Sequence, residues 1–170
     1  MEHLIQPYRY TQLMLPVCMS LPLTHAITLT LKPSYQKLEK AEKITTDFQR
    51  ILNRLAWGRN AFNKGKGLLS FMAVVQGDSY EHMHIHAASG NFSPKLDNRK
   101  ILNLMQRAAT LTDGVWQQRY FSPLRNKEEW MIYCLSEIDG RCDERLLIQH
   151  FDEGRTPLSH QQETQFPCAS

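Results

Sequence analysis

The sequence predicts an α+β fold built on an antiparallel sheet, and three observations lead there. Residues 25–32 and 82–88 alternate apolar and polar side chains with a period of two, and residues 68–76 form an apolar run of strand length, the patterns of half-buried and buried strands. Residues 35–56 and about 94–111 carry apolar residues at helical spacing, the pattern of amphipathic helices. The 170 residues, 42% hydrophobic, suffice for one domain with a substantial core.

Residues 1–24 read as an irregular arm. The stretch 13–23 (LMLPVCMSLPL) is apolar but holds two prolines, lacks a basic start and is followed by no clean small-x-small site, so no signal peptide is expected. Residues 25–32 (HAITLTLK) form the first strand, with Ile27, Leu29 and Leu31 inward and Thr28 and Thr30 on the other face. Pro33 ends it. Leu38, Ala41, Ile44, Phe48, Ile51, Leu52 and Leu55 then make the buried stripe of the first helix. Residues 58–67 (GRNAFNKGKG) are a basic connector, not a phosphate-cradling P-loop. Arg59, Lys64 and Lys66 suit either a solvated loop or contacts to a nucleic-acid backbone.

Strands 68–76 and 82–88 pair as a hairpin through Gly77-Asp78-Ser79. Their faces agree: Leu69, Phe71, Ala73 and Val75 match Met83, Ile85 and Ala87, and Gln76 falls beside His82 and His84 on the other face. Ser93-Pro94 reads as the start of the next helix, with Ile101, Leu104, Met105, Ala108 and Leu111 buried. Residues 115–121 make a fourth strand, and Asn126 to Glu129 resembles a capping box opening a helix to about 138. A short helix over 141–151 and a mobile tail complete the chain. The order β-α-β-β-α-β suits a ferredoxin-like or RRM-like sandwich, helices on one face and the histidines on the other. The domain so defined runs from 25 to 140.

Composition excludes little else. A net charge of +3 permits nucleic-acid binding without requiring it. The four cysteines form no CxxC pair, so neither a zinc finger nor a disulfide framework is indicated and a reducing, cytoplasmic setting is the simplest. No run reaches the length of a membrane span.

The chemistry sits in His82-Met83-His84-Ile85-His86. On a strand, the three imidazoles share one face, about 6.6 Å apart in sequence along it. Adjacent histidines can converge on one ion, whereas His82 and His86 are too far apart to join His84 on the same one. The pair is therefore His82/His84 or His84/His86, with Gln76 as a third, oxygen ligand suited to Mn or Mg.

In this order the residues resemble the HUH endonucleases, which include bacterial rolling-circle replication initiators with a single catalytic tyrosine. The opening strand Ala26–Pro33 is similar to the family's first motif, His84-Ile85-His86 to its His-hydrophobic-His motif, and Trp130-Met-Ile-Tyr133-Cys-Leu-Ser-Glu137 to its helical tyrosine motif. Residues 48–58 (FQRILNRLAWG) also look like such initiators. The resemblance implies that His84, His86 and Gln76 hold a divalent ion, Mn or Mg. It implies that Tyr133 nicks and rejoins single-stranded DNA, or an origin hairpin, through a 5′-phosphotyrosine, as in plasmid or phage replication. A helicase domain is not seen here, so unwinding would fall to a host helicase. Tyr80, Trp57 and Trp116 could stack on bases. One position departs: the family's lysine three residues after the tyrosine is Ser136, which Arg141 or Lys127 would have to replace.

Two other readings stay open. The run 82–88 also fits the His-φ-His-φ-His-φ-φ pattern of HIT nucleotide hydrolases and transferases, with His84 as nucleophile, although that family's upstream asparagine and glycine-glutamine elements are not found. Alternatively, a degenerate HUH module binds DNA without cutting it, and Ser136 favours that.

Overall fold

The computed structural model describes residues 9–60, 68–77, 83–136 and 146–149. It is an α+β structure with a five-stranded antiparallel sheet. The strands are β1 (Leu23–Leu31), β2 (Ser70–Gln76), β3 (His84–Gly90), β4 (Val115–Pro123) and β5 (Leu146–Gln149), in the spatial order β4-β1-β3-β2-β5. The described helices are α1 (Arg9–Ser20), α2 (Leu38–Trp57), α3 (Asn98–Leu111) and α4 (Lys127–Ser136). The first four strands and the helices between them are compatible with a ferredoxin-like arrangement.

The alternation read in the strands sets the two faces. Ile27, Leu29 and Leu31 of β1, Phe71, Ala73 and Val75 of β2, and Ile85 and Ala87 of β3 enter one core with Ala41, Ile44, Phe48 and Leu52 of α2 and Ile101, Met105 and Ala108 of α3. Burying such side chains contributes about 1.5–3 kcal/mol each, which makes this the main stabilising layer. Leu111 is the exception to the expected stripe. It is 57% exposed, and Thr112 is buried in its place, its hydroxyl donating to the Ala108 carbonyl at 2.8 Å.

The expectation of helices on one face only is corrected. α1 and α4 pack on the opposite face, where Cys18, Leu21, Met131, Cys134 and Leu135 meet Met72, Val74 and Ala88. The stretch 1–24 is thus not all irregular: residues 9–20 are helical despite Pro16. A mid-helix proline forfeits one backbone hydrogen bond, but the apolar face that made this stretch look like a leader is what α4 covers. Lys127 locks the join, its ammonium donating to the carbonyls of Met19, at 2.8 Å, and Leu21.

Two boundaries and one element also differ. Ser93-Pro94 forms a turn, and α3 starts after Asp97, whose carboxylate accepts from the Lys100 N–H at 2.8 Å and so caps the helix better than Ser93 could. Tyr35 lies in a 3-10 turn (Pro33–Tyr35) ahead of α2. Within 141–151 the described residues 146–149 are a strand, not a helix, paired with β2 from Phe71↔Gln149 to Val74↔Leu146. Every β2 residue is buried, and an unpaired β2 edge would leave its backbone groups unsatisfied; β5 covers it. No helix among the described residues is long and apolar enough to cross a membrane.

Candidate metal and tyrosine site

The site forms where two cross-strand rows meet α4. One row is Thr30–His84–Gln76 and the next is Thr28–His86–Val74, running across β1, β3 and β2. Antiparallel register places these side chains opposite one another on one face, so Gln76 and His84 come together as the sequence predicts: Gln76 Oε1 lies 3.0 Å from His84 Nε2. The His84 and His86 rings stand edge to face with centroids 4.8 Å apart.

His86 is the more enclosed of the two, 6% exposed. Thr28 Oγ1 lies 3.0 Å from its Nδ1. Trp130 and Tyr133, one turn apart on α4, both meet the ring edge to face at centroid distances of 5.5 and 5.0 Å. The indole N–H of Trp130 donates to the Ala87 carbonyl at 3.2 Å, pinning α4 to β3. The phenol oxygen of Tyr133 then lies 3.4 Å from His86 Nε2, a long contact, with the ring 46% exposed. Burial first, and the neighbouring His84 second, push the His86 pKa down to about 4, so this ring is neutral near pH 7 and has a lone pair to offer.

The helix that delivers Tyr133 is set by its own sequence. Asn126 Oδ1 accepts from the Glu129 N–H at 3.2 Å, an N-cap in the expected place. Met131, Cys134 and Leu135 are buried, which turns Trp130 and Tyr133 toward β3. Cys134 is no rival nucleophile: burial, with Cys18 nearby, raises its pKa and keeps it a thiol.

The residues fit a divalent cation. Ligands bound at about 2.1 Å and at a right angle lie about 3.0 Å apart, the observed spacing of His84 Nε2 and Gln76 Oε1. The donor set would be two imidazoles and an amide oxygen. Among the described residues no group of three His, Cys, Asp or Glu side chains could hold an ion; beside the two histidines stands Gln76, which is 4% exposed with its Nε2 lacking a hydrogen-bond partner among the described residues.

Of the other predicted residues, Arg59 is exposed just beyond Gly58 at the end of α2. Thr30 is half-buried in the His84 row. His82, Lys64, Lys66, Tyr80 and Arg141 lie outside the described residues. Lys127 does not stand in for the missing lysine, because its ammonium is held by α1. Ser136 turns back on its own helix, its hydroxyl donating to the Tyr133 carbonyl at 2.9 Å. Trp57 packs against the main core. The sequence put Thr28 and Thr30 on the histidine face, and the pairing of β1 with β3 adds the contact of Thr28 with His86; the Trp130 clamp carries no local signal. No family model, curated protein or solved structure matches this chain.

Proposed function

We propose that the protein is a metal-dependent endonuclease of the HUH type, with a ferredoxin-like core, that nicks and joins single-stranded DNA through Tyr133. The observation that carries this reading is the Tyr133 phenol oxygen 3.4 Å from His86 Nε2, beside the His84–Gln76 pair. A nucleophile and phosphate-handling groups on separate elements converge there.

His84, His86 and Gln76 would hold Mn or Mg, which when bound polarises a phosphate oxygen. The chain's own residues do the rest. Thr28 and Trp130 fix the His86 ring and α4. Tyr133 Oη attacks the phosphorus of the scissile diester, the P–O3′ bond breaks, and the 3′ oxygen leaves as a hydroxyl after taking a proton. The phenol proton passes to water at the exposed edge of the Tyr133 ring as Oη attacks, and water returns one to the 3′ oxygen, so no net proton is gained or lost; a phenol has a pKa near 10 in water, so the polar site has to ease its ionisation near pH 7. The product is a 5′-phosphotyrosine and a free 3′-OH. Attack by a 3′-OH on that phosphotyrosine reverses the step and rejoins a strand, which is the chemistry of rolling-circle initiation.

A second reading has its own observation. With the Ser136 hydroxyl bonded back to its own helix and the Lys127 ammonium held by α1, neither supplies the family's cation, which favours a module that binds DNA and cuts it poorly. One experiment separates the two. The protein is incubated with labelled single-stranded DNA libraries and Mn, and denaturation-resistant adducts are collected. Nicking predicts an adduct that Tyr133→Phe or chelation removes. Tight DNA binding with no adduct from any sequence refutes it and leaves the binding module.

A further inference from the structure

α3 packs on the side of the sheet away from Tyr133, and its outer face is basic. Ile101, Met105, Ala108 and Ala109 are buried, so helical periodicity turns Arg99, Lys100, Asn103, Gln106, Arg107 and Thr110 outward, and all of these are exposed. They make a stripe about 17 Å long that holds no acidic side chain. Lys100 pairs with Asp97, the helix cap, at 3.7 Å, and Arg99 acts on the same carboxylate only through space. Arg99 and Arg107 have no hydrogen-bond or ion-pair partner among the described residues. Arg119 of β4 joins the stripe from the side. Its Nη2 donates to Thr110 Oγ1 at 2.9 Å and its guanidinium lies against the Gln106 amide, which fixes a further cation beside the second half of the helix.

The neighbouring helix shows what a solvated face looks like in this chain. α2 interleaves its cations with Glu39, Glu42 and Asp47, and Lys43 and Arg50 both donate to Asp47, at 2.6 and 2.9 Å. Charges paired along a helix in this way need no partner. α3 leaves Arg99, Arg107 and Arg119 without such an acid, so its field points outward to a polyanion. The donors select which one. Arginine, lysine, asparagine, glutamine and threonine are side chains that bond the phosphate oxygens of nucleic acid. An acidic protein would call for an apolar or aromatic anchor at the centre of the contact, and an anionic membrane for an exposed apolar face. The apolar side of α3 is spent on the core, and its one large exposed apolar side chain, Leu111, stands at its last residue. Unpaired bases need rings to stack on, and the stripe has none. A duplex backbone asks only for cations and polar donors on a rigid surface.

We infer that the outer face of α3, with Arg119 beside it, is a binding surface for the phosphate backbone of duplex nucleic acid, engaged without regard to sequence. The surface lies across the sheet from Tyr133, and its ligand follows from the charge and donors of α3, so it goes beyond the nicking chemistry and does not rest on it.

The test is anisotropy of a short fluorescent blunt-ended DNA duplex titrated with the full chain over a series of salt concentrations, with Tyr133→Phe and chelator throughout so that no adduct forms. The logarithm of the affinity should fall linearly with the logarithm of the salt concentration. Arg99→Gln and Arg107→Gln should each flatten that slope by about one and weaken binding alike for duplexes of different sequence. Lys43→Gln removes the same charge from α2 and should leave the slope as it is. All three changes fall on exposed side chains, and thermal melts show that each variant is folded. Parent-like slopes for both arginine variants, or an equal change with Lys43→Gln, overturn the surface. A parent that binds no duplex at low salt overturns it too. Single strands that lose as much affinity as the duplex with Arg99→Gln and Arg107→Gln overturn the choice of duplex, and poly-glutamate bound through the same arginines in place of DNA overturns the choice of nucleic acid. If the slopes change as stated, the surface stands even where wild-type protein forms no adduct; if they do not, adduct formation on single-stranded DNA still tests Tyr133 separately.

Discussion

Thr28→Val removes one hydroxyl and keeps the β-branched shape that a strand favours. That hydroxyl lies 3.0 Å from His86 Nδ1, and His86 is 6% exposed, so no water easily replaces it. A metal held through Nε2, as proposed, would leave the ring N–H on Nδ1, turned to Thr28. Valine leaves the buried N–H without an acceptor, which costs about 1–3 kcal/mol. For a chain of this size each kcal/mol lowers Tm by about 2–4 °C, so a fall of about 2–12 °C is expected. The ring is also free to switch tautomer or tilt. Loss of such a supporting partner costs about 10–100-fold in metal affinity or activity. Thermal melts with chelator read the first effect, and initial rates of DNA adduct formation in Mn read the second. Thr28→Ser keeps the hydroxyl and should recover most of the rate. A Thr28→Val protein that melts and reacts like wild type would show that Thr28 does not orient His86.

The metal site gives a simpler readout, because an ion that binds only the folded state at about one hundred times its Kd adds about 2.7 kcal/mol. Mn should therefore raise the wild-type Tm by about 5–11 °C; an equal rise in both His84→Ala and Gln76→Leu would place the ion elsewhere. Asn53 is a buried bridge, accepting from the Leu69 N–H at 2.8 Å and donating to the Gln49 carbonyl at 3.0 Å, so Asn53→Leu should cost about 1–3 kcal/mol in urea unfolding, and an unchanged midpoint would mean Leu69 finds another acceptor. His25 is buried against Phe92 and burial holds its pKa below 6.5; the unfolded chain then binds a proton the folded one refuses, so stability is full above pH 6.5 and falls as pH drops below it, by up to about 1.4 kcal/mol per pH unit. His25→Gln should remove that part of the slope while His86, shifted in the same direction, keeps the remainder; parallel curves for variant and wild type would mean His25 does not titrate this way. Ser136→Lys returns a cation one turn from Tyr133 and, at the usual worth of an exposed charge, should raise adduct formation about 2- to 5-fold; no gain over Ser136→Ala would show that the phosphate lies out of its reach.

What the sequence made legible follows from periodicity. The period-two alternation of β1 and β3 set the faces, and the match of Leu69, Phe71, Ala73 and Val75 to Met83, Ile85 and Ala87 set a register that the structure bears out, down to Gln76↔His84. The helical stripe of α2 was equally plain, because seven apolar positions keep one phase over twenty residues. Two of the three misses share a cause, local chemistry outweighed by tertiary packing, and the third is a local contest between caps. Pro16 argues against a helix, yet residues 9–20 are helical because α4 covers them. Residues 146–149 carry no alternation, and they are a strand because β2 has an edge to cover. Ser93-Pro94 is a good helix opening that loses to Asp97 four residues on.

The same packing decides what kind of site this is. Had the helix-free face been fully open, the histidines would have stood in water, and Tyr133 would have had nothing to hold it. Instead α1 supports α4, Lys127 ties the two together, and Trp130 pins α4 to the carbonyl beside His86. Tyr133 is thereby fixed at the margin between the covered half of the sheet, which keeps His86 dry and neutral, and the open half, where Tyr120 and Trp116 stand exposed. On the proposed nicking reading, Tyr133 needs both to meet a large, charged, single-stranded substrate: a partner held in one geometry, and an approach that none of the described residues covers. The helix packed on the histidine face, which sequence reasoning did not expect, is what supplies the first without closing the second.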